Sequence, residues 1–159
     1  MKITLEWLKE NACSEAVAAF EGHFGTEADY QAVLDEAAKR NRMDWARWLL
    51  NTAGSGPPDA ELNIDGDLIA KCGVAFAGRI TVSGRIRARF IIAGEGIEAG
   101  EGIEAGWGIK AGWGIKAGED FGIYAGIAIK ISLKAHSAVI ISKTKPKNIL
   151  LGEYRAPGA

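Results

Sequence analysis

A chain of 159 residues with net charge −1 has room for one domain or two small ones around a real core. Apolar residues make up 48% and charged residues 25%, so the whole-chain balance calls for neither nucleic acid nor a membrane surface. Cys13 and Cys72 sit in segments of different character, which excludes a disulfide framework and suits a reducing compartment. Glu6, Lys9 and Glu10 interrupt the apolar residues at the start, unlike the core of a signal peptide, and no run approaches about 18 apolar residues. The expectation is a cytoplasmic chain with no membrane partner.

From Ile3 to Gly54 the apolar pattern is helical. Leu5 and Leu8, with Trp7 beside them, begin a short first helix, and Ser14 and Glu15 start a second with Ala16, Val17, Ala19 and Phe20 on its face. That helix is expected to end before Gly22 and Gly25. Thr26 with Asp29 three residues on reads as a capping-box-like start for a third helix. Its buried face would be Tyr30, Val33, Leu34, Ala37 and Ala38, with Asn41 interrupting. A fourth helix carries Met43, Ala46, Leu49 and Leu50, with Trp45 and Trp48 on neighbouring turns as core or cap residues. Gly54-Ser55-Gly56-Pro57-Pro58 stops helix and strand alike.

After Asp59 the period changes. Apolar residues recur every six positions at Leu62, Leu68, Val74, Ile80, Ile86 and Ile92. One step is a residue short, and the count resumes at Ile97, Ile103, Ile109 and Ile115. Two extra residues around Glu119 and Asp120 push the next to Ile123, followed by Ile129. Most have an apolar partner two positions later, such as Ile64, Phe76, Val82, Ala99, Ala105 and Ala111. Repetition on this scale outranks local propensity.

In a unit such as Ile109-Lys110-Ala111-Gly112-Trp113-Gly114, Ile and Ala share one face of a short strand and Lys points outward. The glycines permit the positive φ that a tight corner can require. Three units close a triangular coil of 18 residues and two close a flat coil of 12; with strands about 4.8 Å apart, four triangular coils would rise about 19 Å. A helix here would lose about 1 kcal/mol at every glycine. Collagen is excluded because the glycine spacing is not three. The tail holds two apolar runs, Ala138–Ile141 and Ile149–Leu151, around a turn with Pro146 and Asn148. It would cover one end of the coil and the helical half the other, since open strand edges invite polymerisation. The expected fold class is α+β: a small helical module over 1–53, a linker over 54–60, a short parallel hexapeptide-repeat β-solenoid (β-helix) over 61–136, and a C-terminal capping hairpin or tail over 137–159.

Chemistry finds little foothold. Cys13, His23, Cys72 and His136 show no ligand-pair spacing, so no metal and no cofactor is expected. No nucleophile–base signature appears, and the G-x-G-x-x-x-G spacing around Gly94 is one residue too long for a dinucleotide fingerprint. The surface carries banded charge instead. Arg85, Arg87 and Arg89 crowd the early coils; Glu95, Glu98, Glu101 and Glu104 follow, then Trp107, Lys110, Trp113 and Lys116. Stacked pairing accounts for many of these: Glu98 would lie over Lys116 in an 18-residue coil, or over Lys110 in a 12-residue coil. Such pairs contribute only about 0.2–1 kcal/mol. Trp107 and Trp113 occupy corners, on different faces, where outward apolar area marks an interface. These eight residues, Glu95 through Lys116, form the candidate binding set. Direct nucleic-acid binding is disfavoured because acidic coils adjoin the arginine row and no aromatic platform is interleaved.

Two resemblances follow from these residues. The hexad is similar to that of left-handed β-helix acyltransferases, but no histidine stands between Phe24 and Ala135 where that family would place its catalytic residue. The segments Ile3–Leu8, Ala12-Cys13 and Asp44–Leu50, followed by Gly112–Gly126, resemble small phage and prophage proteins in which a helical module precedes a repeat solenoid. Some phage-encoded small proteins inhibit host defence complexes, anti-CRISPR proteins among them. That resemblance implies a non-enzymatic inhibitor of a host protein or nucleoprotein complex, acting in the host cytosol, with a homodimer possible. The alternative reading is a self-associating scaffold built by end-to-end stacking, and a hexapeptide-repeat acyltransferase is the enzymatic third.

Overall fold

The structure, a computed structural model, describes residues 1–54, 56, 60–118, 122–125, 139–141, 145 and 153–155. Four helices come first: α1 (Leu5–Asn11), α2 (Ser14–Phe24), α3 (Tyr30–Lys39) and α4 (Met43–Ala53). Thr4 caps α1, its side chain accepting from the Trp7 amide at 3.3 Å. Gly22 stays inside α2, and Gly25, at φ 76°, ends it. Asn41, at φ 57°, interrupts the chain between α3 and α4 as its residue type suggests.

Thr26 does not start a helix. Glu27–Asp29 (β2) instead pairs antiparallel with Lys2–Thr4 (β1), placing Lys2 against Glu27 and burying Ile3. Asp29 is then the residue before α3. The helices pack Leu8, Phe20, Leu34, Ala46 and Leu49 together. Tyr30 lies beneath them and donates its hydroxyl to Gly54 O at 2.5 Å, and burial pushes its pKa up to about 12.

Parallel strands follow in three full coils and a partly described fourth. Face one stacks β3 (Glu61–Ile64), β6 (Arg79–Val82), β8 (Ile97–Ala99) and β10 (Ile115–Lys116). Face two stacks β4 (Leu68–Ile69), the start of β7 (Ile86–Ala93), the start of β9 (Ile103–Ala111), and β11 (Ile123–Ala125). Face three takes β5 (Val74–Phe76) and the second halves of β7 and β9, then β12 (Val139–Ile141) and β13 (Glu153–Arg155). Leu62 pairs with Ile80 and Leu68 with Ile86, so the coil is triangular with 18 residues. Ile80, Ile86, Ile91 and Ile103 are fully buried in its interior.

Two details of the repeat differ from the expectation. The short step falls between Ile86 and Ile91, not after Ile92: Val74, Ile91 and Ile109 share one column. A bulge between Ala88 and Phe90 turns Phe90 and Ile92 outward, and both pack against the helices. The corner glycines also have another cause. Gly66 has a positive φ of 99°, but a Cβ on Gly78, Gly100 or Gly112 would run into the carbonyl oxygen of Ala60, Ser83 or Gly94 one coil below. Close stacking of coil on coil, more than positive φ, demands glycine there.

The helical module covers both an edge and a side of the solenoid. Gln31 of α3 donates to Ala75 O at 2.8 Å and accepts from Ala77 N at 3.0 Å, and Gly73 N donates to Ala38 O at 3.1 Å. These bonds give β5 the neighbour it lacks. α4 lies along face three, with Met43 over Gly108. In the tail, β12 and β13 run parallel, which a tight hairpin connection cannot produce. They lengthen the face-three ladder instead; the second apolar run, Ile149–Leu151, and the Glu119–Asp120 insertion lie outside the described residues.

Candidate functional site

The 18-residue coil distributes the eight candidate residues around its whole circumference. Glu98 and Lys116 stand on face one, Lys116 Nζ 2.6 Å from Glu98 Oε1, the partner that the triangular coil requires. Glu104 is on face two, 3.0 Å from Arg87. Glu101 lies at the corner between those faces, its amide donating to Gly84 O at 3.1 Å. Lys110 points from face three toward α4 and donates to Asn51 Oδ1 at 2.8 Å. Burial there, with Arg47 nearby, holds its pKa below the usual lysine value. Lys110 therefore belongs to the seam with the helices and not to an open patch.

The tryptophans occupy the two corners of face three, on either side of the docked helices. Trp107 is 39% exposed and stacks on Phe90 with centroids 6.4 Å apart; the Arg89 guanidinium lies 5.2 Å from its ring. It is half structural. Trp113 is 53% exposed and sits one coil above Glu95, its amide donating to Glu95 O at 3.0 Å. The Arg79 guanidinium is 5.9 Å from the Trp113 ring. Trp113, Arg79, Glu95 and the Glu98–Lys116 pair thus gather around one corner and the adjoining face, while Trp107, Glu101, Glu104 and Lys110 do not join them. The remaining early arginine, Arg85, reaches Asp67 at 2.9 Å. Hydrogen bonds from the Arg85 amide and side chain hold the Asp67 carboxyl below the usual carboxylate range.

A second surface lies in the helical module. A shallow apolar cleft, open to solvent, runs between the helices, lined by Leu8, Phe20, Phe24, Val33, Trp45 and Trp48. Glu36 stands at its edge, 2.6 Å from Arg40 and 3.5 Å from His23, and the Arg40 hydrogen bond lowers its pKa. Trp48 leans on Trp7 at 5.7 Å, and the Arg42 guanidinium covers Trp45 at 3.7 Å. The sequence signal for this surface is the density of aromatic residues: Trp7, Phe20, Phe24, Tyr30, Trp45 and Trp48 fall on four short helices.

Among the described residues no three His, Cys, Asp or Glu side chains are grouped to hold a metal, and no helix is long and apolar enough to cross a membrane. Comparison of the chain with protein-family models, with curated proteins and with solved structures gives no match.

Proposed function

We propose that this is a non-enzymatic binding protein whose contact point with a partner protein is the corner built by Trp113. One observation carries the reading: a large indole, more than half exposed, stands at a rigid corner of the stack within a rim of Arg79, Glu95, Glu98 and Lys116. Interfaces concentrate their energy in such aromatic anchors surrounded by polar groups that exclude water. The solenoid supplies preorganisation, because the backbone on either side of Trp113 is hydrogen-bonded to the coil below and little entropy is lost on contact. The resemblance to small phage proteins gives the partner class in this proposal. It is a host protein or nucleoprotein complex, of which a CRISPR–Cas defence complex is an example, blocked by occupation of its surface in the host cytoplasm.

Capture of partners from a bacterial lysate with the folded chain as bait tests this. Trp113→Ala is expected to keep the circular-dichroism spectrum and melting temperature while losing the partner that the parent chain captures. Capture unchanged in Trp113→Ala would remove the corner from the interface.

A further inference from the structure

The chain contains the hexad Gly-Trp-Gly-Ile-Lys-Ala twice in succession, as residues 106–111 and 112–117. The two copies take the same arrangement on adjacent faces of the coil. Ile109 and Ile115 point inward, Trp107 and Trp113 stand at corners, and Lys110 and Lys116 point outward. The first copy, on face three, is covered by α4. Met43 Cε lies 3.2 Å from where a Cβ on Gly108 would be, and Asn51, about two turns further along the helix, accepts from Lys110. Gly108 thus leaves a hole beside an indole, and the methionine fills it.

The second copy has no such cover among the described residues. A Cβ on Gly114 would meet nothing within 4 Å, and its φ is not positive, so neither packing nor backbone conformation asks for glycine there. Gly100 and Gly112 answer to a carbonyl one coil below and Gly108 to Met43, but Gly114 answers to no described residue of the chain. A glycine kept at such a cost in backbone entropy marks the close approach of something else. Charge specifies what would fit. Above β3 the outward charges of face one are Arg79, Glu98 and Lys116. Glu98 and Lys116 pair with each other, while Arg79 lies near the Trp113 ring and forms no ion pair among the described residues. Glu95 belongs to the corner column beneath Trp113 and not to this face. The surface beside the Gly114 hole is therefore net basic and favours carboxylates. In every copy of this chain Met43 is engaged with Gly108, and Arg47 on the same helix would bring a like charge, as it does to Lys110. The occupant therefore comes from a different protein.

We propose that this face takes an acidic helix of the partner protein, which sets a methionine-like side chain into the hole at Gly114, against Trp113, and carboxylates toward Arg79. The helix rests on the reading of the Trp113 corner as the contact point, and adds the shape and charge of what that corner meets.

Fluorescence anisotropy on the full chain tests the proposal. The probes are a labelled peptide of residues Arg42 to Ala53, stapled to hold it helical, and the same peptide with Arg47→Glu. The Arg47→Glu peptide is expected to bind more tightly than the unaltered one, with an affinity that falls as salt is raised. Gly114→Val fills the hole without touching the indole. Because its Cβ meets nothing within 4 Å, the melting temperature should hold or rise. Affinity for the Arg47→Glu peptide should fall about tenfold or more. Should Gly114→Val fail to fold, Gly114→Ala, which adds the smallest group, takes its place with the same direction of effect. A folded variant that binds the peptide like the parent, or an unaltered peptide that binds better than the Arg47→Glu one, would overturn the proposal. So would a parent chain that binds neither peptide; the corner itself would then still be decided by the lysate capture with Trp113→Ala, which assumes no helix.

Discussion

Ile91 and Ile92 are consecutive and both fully buried, yet they belong to different interiors. Ile91 points into the solenoid and stacks between Val74 and Ile109, where each coil asks for the same thing: an aliphatic side chain of similar size. Ile92 points into the seam between solenoid and helices, which is built from exceptions to the repeat. Phe90 stands where the next coil has Gly108, and its ring lies where a Cβ on Gly73 would be. Gly108 in turn leaves room for Met43. A column is specified by repetition, whereas a seam is specified by the positions at which repetition is broken.

Breaking a column should have the largest effect. Ile103→Asp puts a carboxylate into a fully enclosed aliphatic stack, with no cationic group in the described core around it, and the chain should lose its cooperative sheet transition. Circular dichroism with a urea titration checks this; a native-like midpoint would mean that the columns are not the source of stability. A seam change should be smaller and more local. Phe90→Ala empties a buried site beneath Trp107 and is expected to cost about 3–5 kcal/mol. Hydrogen exchange should speed up in α3 and α4 before it does in β8 and β9. Equal acceleration throughout would show that seam and columns unfold as one unit.

The same distinction explains what could be read from the chain. The columns were legible because an aliphatic residue returned every six positions, and the pairing of Glu98 with Lys116 followed once the coil had 18 residues. The displaced step at Phe90-Ile91-Ile92 was not legible, since three apolar residues in succession offer two equally good phases and only the helices choose between them. Corner glycines announced themselves, but a sequence cannot distinguish a glycine needed for its φ from one needed because a carbonyl passes where its Cβ would be. The β1–β2 ribbon was hidden by length: three residues are too few for any period to register. For the candidate site, the exposure of Trp113 could be read from its corner position, while the diversion of Lys110 into the seam depended on where α4 lies.

The smallest expected effect concerns Gln31, where a single side chain substitutes for a strand. Its amide serves Ala75 O and Ala77 N together, the two groups that a parallel neighbour of β5 would satisfy. Gln31→Ala leaves both without that partner in a half-buried setting that water can reach, so the loss should be about 1 kcal/mol, the low end of the range for such groups. Gln31→Glu tests the geometry further, because a carboxylate can accept from Ala77 N but cannot donate to Ala75 O. Faster amide exchange at Ala77 in Gln31→Ala but not in Gln31→Glu is the outcome expected if the side chain acts as the missing edge. Equal exchange in the two variants would mean that α3 holds β5 by packing alone, and that the seam, like the columns, rests on burial more than on directed bonds.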